Sequence, residues 1–176
     1  MRIVTPEELI AEEKELQEDK KIYPPFLVEE FRKCREEIRI EEKTGKSIPF
    51  EPTKITDFTV LITNIWKISN RDYQERFWVR QELPMRGDNF METTMTFNQH
   101  VRGVSEAKDL GLVKMDEKQY EMLMKLYNMI DEFEADPDTP PDPGYGENDK
   151  EIVADPRWDK IRNFAKEVYE ELIKEG

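Results

Sequence analysis

Apolar residues recur along this chain at intervals of three and four, and that spacing commits most of it to amphipathic helices. The clearest case lies between 116 and 133. Asp116 and Gln119 form a capping pair, and Tyr120, Leu123, Met124, Tyr127, Ile130 and Phe133 line one stripe. Phe58, Leu61, Ile62, Ile65 and Trp66 sit at i, i+3, i+4, i+7 and i+8, which predicts a helix beginning near Thr56 or Asp57 in spite of its β-branched content. Thr5-Pro6-Glu7-Glu8 carries a capping Thr, a Pro at the first helical position and a Glu three residues after the cap, so a helix runs from there to about Ile22. Its apolar stripe is thin: Leu9, Ile10 and Leu16. After Pro24-Pro25, a second stripe of Leu27, Phe31, Cys34 and Ile38 ends at Gly45. Asp155-Pro156 opens the last helix, whose Trp158, Ile161, Ala165, Val168 and Leu172 keep heptad-like spacing.

Between these stripes the signals are of other kinds. Residues 46–56, KSIPFEPTKIT, hold two prolines and no period, and read as a connector. Residues 73–82 fit either a short strand or a helical turn. Arg86-Gly87-Asp88 invites an adhesion reading, but Asp88 is also placed to cap a helix carrying Phe90, Met91, Thr94, Phe97 and Val101. Residues 135–154 contain four prolines, two glycines and a run of acids, and read as a long irregular loop. The fold class that follows is mainly α. It is a single-domain bundle of about six helices over 1–176, with at most a short strand or hairpin near 73–82. Residues 1–45 form an N-terminal helical hairpin, and 56–176 form the main bundle with its acidic loop at 135–154.

Such a chain has the means to fold: 37% of it is hydrophobic, with 3 Trp, 6 Tyr and 9 Phe, although 38% is charged. Cys34 is the lone cysteine, so no internal disulfide can form, and its place on an apolar stripe predicts a buried thiol in a reducing compartment. The first residues turn polar within seven positions, and no stretch approaches 18 apolar residues. The expected location is cytoplasmic.

Charge is unevenly distributed. Of the net −13, residues 105–156 contribute −10, from 15 acidic and 5 basic side chains. A field of this kind repels nucleic-acid phosphates and anionic membranes and attracts basic surfaces. The chemistry of common active sites is missing from the sequence. With one His and one Cys, the chain lacks the usual transition-metal ligand set, and its glycines form no phosphate-binding motif. His100 sits among Asn98, Gln99 and Arg102 on a solvent-facing stretch. Asp136, Asp138, Asp142 and Glu147 match places 1, 3, 7 and 12 of a calcium loop, but Pro140 and Pro141 stand where an oxygen ligand and the turning glycine are needed. No catalytic residue, metal or cofactor is assigned. A close pair among the 40 carboxylates needs no sequence signature and stays open. The candidate partner-binding residues are Asp136, Asp138, Asp142, Tyr145, Glu147, Asp149 and Glu151. The same loop also reads as a solvated linker.

Trp66, Asp72-Tyr73-Gln74, Trp78-Val79, Asp88-Asn89-Phe90, Glu92-Thr93, Asp155-Pro156-Arg157-Trp158 and Ala165-Lys166-Glu167-Val168 together resemble small acidic bacterial proteins of toxin-immunity loci, over residues 58–174. The resemblance implies neutralisation of a cognate toxin by direct binding. It transfers no binding residue, because these positions are mostly core and caps. The expected function is therefore a non-catalytic cytoplasmic inhibitor or immunity protein that docks on a basic protein partner and contacts neither nucleic acid nor membrane. The alternative is an assembly or chaperone-like adaptor, possible in a phage as in a bacterium, that joins partner helices through the N-terminal hairpin.

Overall fold

The computed structural model describes residues 5–44, 57–84, 87–141 and 146–174. Contacts divide the chain into two compact units, Met1–Thr53 and Lys54–Gly176. The division falls inside the proline-containing connector.

The first unit is a pair of helices, α1 (Pro6–Ile22) and α2 (Pro25–Thr44). The capping box at Thr5 forms as expected: the Glu8 N–H donates to Thr5 Oγ1, and Glu8 Oε2 accepts from the Thr5 N–H. Charge pairs join the two helices. Arg35 Nη2 lies 3.3 Å from Asp19 Oδ2, and Arg39 pairs with Glu12. Tyr23 meets Phe31 edge to face at 5.3 Å. The predicted apolar stripe of α2 is only partly covered. Leu27 is buried, Cys34 is half-buried rather than enclosed, and Ile38 is exposed. Its outer turns carry so many charges that little apolar surface is left to bury it.

In the second unit α3 (Thr59–Ser69) is buried on nearly every side, which its mostly apolar sequence allows, and it packs against α5 and α8. Its polar side chains turn back onto their own helix. Thr63 Oγ1 donates to Thr59 O at 2.7 Å and Asn64 Nδ2 to Val60 O at 2.8 Å. A short helical turn, α4 (Arg71–Tyr73), runs directly into a π-helix, Gln74–Val79, in which the Arg80 N–H reaches back five residues to Glu75 O. Of the two forms expected for 73–82 the helical turn is the one found, in π-helical form, and no strand or hairpin is present there among the described residues.

The remaining helices are α5 (Phe90–Asp109), α6 (Glu117–Ala135), α7 (Asp149–Ala154) and α8 (Pro156–Leu172). The eight among the described residues exceed the expected six through α4 and α7. The helix α7 is a correction to the reading of 135–154 as wholly irregular: Ile152 and Val153 are buried, and they hold one helical turn and a half against the π-helix and α8. A second correction concerns the start of α5. Its N-cap is Asn89, whose Oδ1 accepts the Glu92 N–H at 2.8 Å. Asp88 instead gathers Thr93 Oγ1 at 2.9 Å, Lys67 Nζ at 2.9 Å and the Tyr73 hydroxyl.

At the centre, Gln74 is fully buried and binds on both ends. Its Nε2 donates to Lys67 O and Ile68 O at the end of α3, and its Oε1 accepts from Trp158 Nε1 and from Arg162 Nε and Nη2, each at 3.1 Å. Arg162 Nη2 also donates to Val153 O at 2.8 Å. Trp78, Phe90, Phe133 and Trp158 stack beside this hub with ring centroids from 5.1 Å (Phe90–Trp158) to 6.2 Å (Trp78–Trp158). No helix among the described residues is long and apolar enough to cross a membrane.

Candidate functional site

Helix α6 begins with the predicted capping box, in which the Gln119 N–H donates to Asp116 Oδ1 at 2.8 Å and the Asp116 N–H donates to Gln119 Oε1 at 3.2 Å. Leu123, Leu126, Ile130 and Phe133 anchor it in the core. The other end is electrostatically unusual. Its last turn carries no basic residue, while Asp131 and Glu132 stand exposed near the negative end of the helix dipole. Acids there are disfavoured by about 0.3–1 kcal/mol each.

The chain leaves α6 through Asp136, which is half-buried. Its Oδ1 accepts the Asp138 N–H at 2.8 Å, a turn that aspartate makes readily, and its Oδ2 lies 3.1 Å from Arg157 Nη1. Arg157 is the clamp of this region. It holds Asp155 through both carboxylate oxygens, donates to Asp138 O at 3.3 Å and lies over the Phe133 ring. The hydrogen bond from Arg157 keeps the Asp155 carboxyl below its ordinary pKa against the opposing effect of burial.

The predicted contact residues thus separate. Asp138, Glu147 and Glu151 are exposed, and Asp136 is partly spent on Arg157. Asp142 and Tyr145 lie outside the described residues. Asp149 is a correction: it is fully buried, and its Oδ2 accepts the Phe90 N–H at 3.1 Å, which places it at the N-terminus of α5 rather than on a contact surface. Gly146 makes this possible. At φ +72° it adopts a left-handed conformation, and a side chain there would have its Cβ 3.2 Å from Asp149 Oδ2. The residues missed by sequence are Asp131 and Glu132. The signal was available, since an acidic last turn without Lys or Arg can be read directly from the helix boundaries. With Asp138, Glu147 and Glu151 these two are exposed and form no ion pair among the described residues.

An open groove of about 770 Å³ runs between α5 and the end of α6 with its following loop, with Met91, Met95 and Arg102 on one wall and Glu134, Pro137 and Pro140 on the other. A smaller one of about 270 Å³, lined by Phe58, Val60, His100 and Gly103, lies on the other side of α5. His100 is exposed, and its Nδ1–H donates to Thr96 O at 2.9 Å. Among the described residues no three of His, Cys, Asp and Glu are placed to hold a metal ion. No family model matches this chain, and neither a curated protein nor a solved structure does.

Proposed function

We propose that this chain is an inhibitor of the immunity type, which neutralises a basic protein partner by presenting the acidic end of α6 and the segment that follows it. The observation that carries the reading is the last turn of α6. Asp131 and Glu132 stand exposed in a helix C-terminal turn that carries no base of its own, an arrangement the helix dipole disfavours, so a role in recognition explains their presence better than a role in folding. Focused negative charge speeds encounter with a basic surface and makes the rate sensitive to salt. The experiment captures partners from the native host on immobilised full-length chain, then measures association of the captured basic protein from low to high salt. The expected outcome is a rate falling at least about tenfold between 20 and 500 mM salt, and a similar fall for the variant D131N/E132Q/D138N/E147Q/E151Q. An unchanged rate in that variant removes this surface as the contact.

A second reading is an adaptor that uses α1 and α2. It is favoured by the apolar side chains these helices leave in solvent, Ile10 at 70% and Ile38 at 56% exposure. Deleting residues 1–45 separates the two, because an adaptor loses its partner and an acidic-surface inhibitor keeps it.

A further inference from the structure

The wall that the segment after α6 builds opposite α5 has no backbone donor to offer. Pro137, Pro140 and Pro141 lack an N–H, and the two N–H groups between them are spent on Asp136: that of Asp138 on its Oδ1 at 2.8 Å, that of Thr139 on its carbonyl oxygen at 3.0 Å. What this wall presents to the groove of about 770 Å³ is therefore acceptors and proline rings. The opposite wall is apolar and adaptable where Met91 and Met95 form it. Glu134 and Asp136 bring carboxylates to the lining, and Asp131 stands one turn from Glu134 on the same side of α6. Arg102 is the cation of the lining, and it is turned to α6. Its Nε donates to the Tyr127 hydroxyl at 3.4 Å, a bond that together with the nearby Asp131 carboxylate raises its pKa.

Two polar atoms of the lining residues stand out. Asn98 Oδ1 and Thr139 Oγ1 are shut off from solvent and have no hydrogen-bond partner in the chain. A buried acceptor without a donor is a cost to the fold, and a side-chain rotation turns either oxygen into the groove.

We infer that this groove receives an arginine side chain of the basic partner, with its stem between the methionines and the prolines and its N–H groups on Asn98, Thr139 and the carboxylates at the end of α6. The inference rests on the acidic-surface reading for the charge of the partner, and it names what enters. Complementarity selects this occupant. A lining short of donors and in excess of acid calls for an occupant that brings donors and positive charge, and the apolar wall calls for one that also brings carbon. A guanidinium spreads five N–H donors over a flat fork, enough to serve several acceptors at once, whereas an ammonium is a compact and strongly hydrated point charge. The negative end of the α6 dipole, which has no base of its own, adds to the attraction.

The test follows the methionine methyl signals of the isotopically labelled full chain by NMR, with acetyl-arginine methylamide as the probe. Met91 and Met95 are expected to shift and saturate with a dissociation constant on the order of 1 mM, as suits a ligand of this size. Met115 is expected to stay in place, because it precedes α6 at the other end of the helix pair, where the Ser105 and Tyr120 hydroxyls meet. The citrulline counterpart, which keeps the shape without the charge, and the lysine counterpart bind at least about threefold more weakly. Asp131→Asn with Glu134→Gln weakens the arginine probe at least about fivefold. Asn98→Ala weakens it about threefold without lowering the melting temperature, since it removes an acceptor that the chain itself leaves unsatisfied. The absence of a saturable shift at Met91 and Met95 overturns the inference. So does a citrulline or lysine probe that binds as tightly as arginine, or binding indifferent to both variants. The probe stands in for the partner, so these outcomes are separate from partner capture. A groove that refuses arginine in a chain whose basic partner still depends on the acids removes the inference and keeps the acidic-surface reading; a groove that takes arginine in a chain that captures no basic protein does the reverse.

Discussion

Gln74 holds together parts of the chain far apart in sequence. It receives donors from Trp158 and Arg162, 84 and 88 residues away, and returns its own amide to the frayed carbonyls of α3. Substitution by leucine removes the acceptor from a buried indole and a buried guanidinium, and each orphaned group costs about 1–3 kcal/mol. Gln74→Leu is therefore expected to lose about 3 kcal/mol or more of stability, measured as the shift of the urea midpoint at constant slope. Sequence alone gave no warning of this residue. A glutamine between Tyr73 and Phe77 looks like the polar face of a short element, and its role depends on partners that only the tertiary fold brings near. Asp149 misled for the same reason: it looks like one more acid of a solvated loop until α5 is placed over it. Capping residues were legible, because Thr5, Asp116 and Asp155 act on backbone N–H groups within three residues.

Among the elements, α6 and α8 were the most readable, since their apolar stripes match the side chains found in the core: Leu123, Ile130 and Phe133 on one, and Trp158, Ile161, Ala165 and Val168 on the other. The π-helix and α7 were not, because six residues carry too little of a period to register. The end of α6 offers an opposition between stability and recognition. Asp131→Lys with Glu132→Lys places cations at the negative end of the helix and is expected to raise stability by about 0.5–2 kcal/mol, seen as a higher melting temperature. The same variant is expected to abolish association with a basic partner. A lower melting temperature would mean that these acids support the fold, and the recognition argument built on them would fail.

At the scale of the whole molecule, the ionic pattern sets the response to acid. Arg157 lowers the Asp155 carboxyl, Lys174 and Lys118 lower that of Glu171, and Arg80 and Arg76 lower that of Glu82. A carboxyl depressed in the folded state stabilises it above its unfolded pKa, near 4, and that contribution disappears as pH falls through the depressed folded value. Stability is thus expected to drop below about pH 4, measured by urea titration at successive pH values, and Arg157→Gln is expected to flatten part of that drop. The net −10 of residues 105–156 acts in the opposite sense near neutrality, where like charges repel. Overall charge and helix content were open to reading because both follow from local composition, whereas the placement of each acid inside or outside the fold depended on packing.

The π-helix also bears on how this chain can change over time. A turn of that kind accommodates one residue more than an α-helix, and each residue added or removed rotates everything downstream by roughly 100°. Phe77 and Trp78 are both buried within this turn. Loss of a residue between Gln74 and Phe77 would shift the register of Trp78 against Phe90 and Trp158. Relatives of this chain should therefore vary in length across the loops while keeping the count constant from Asn70 to Arg80.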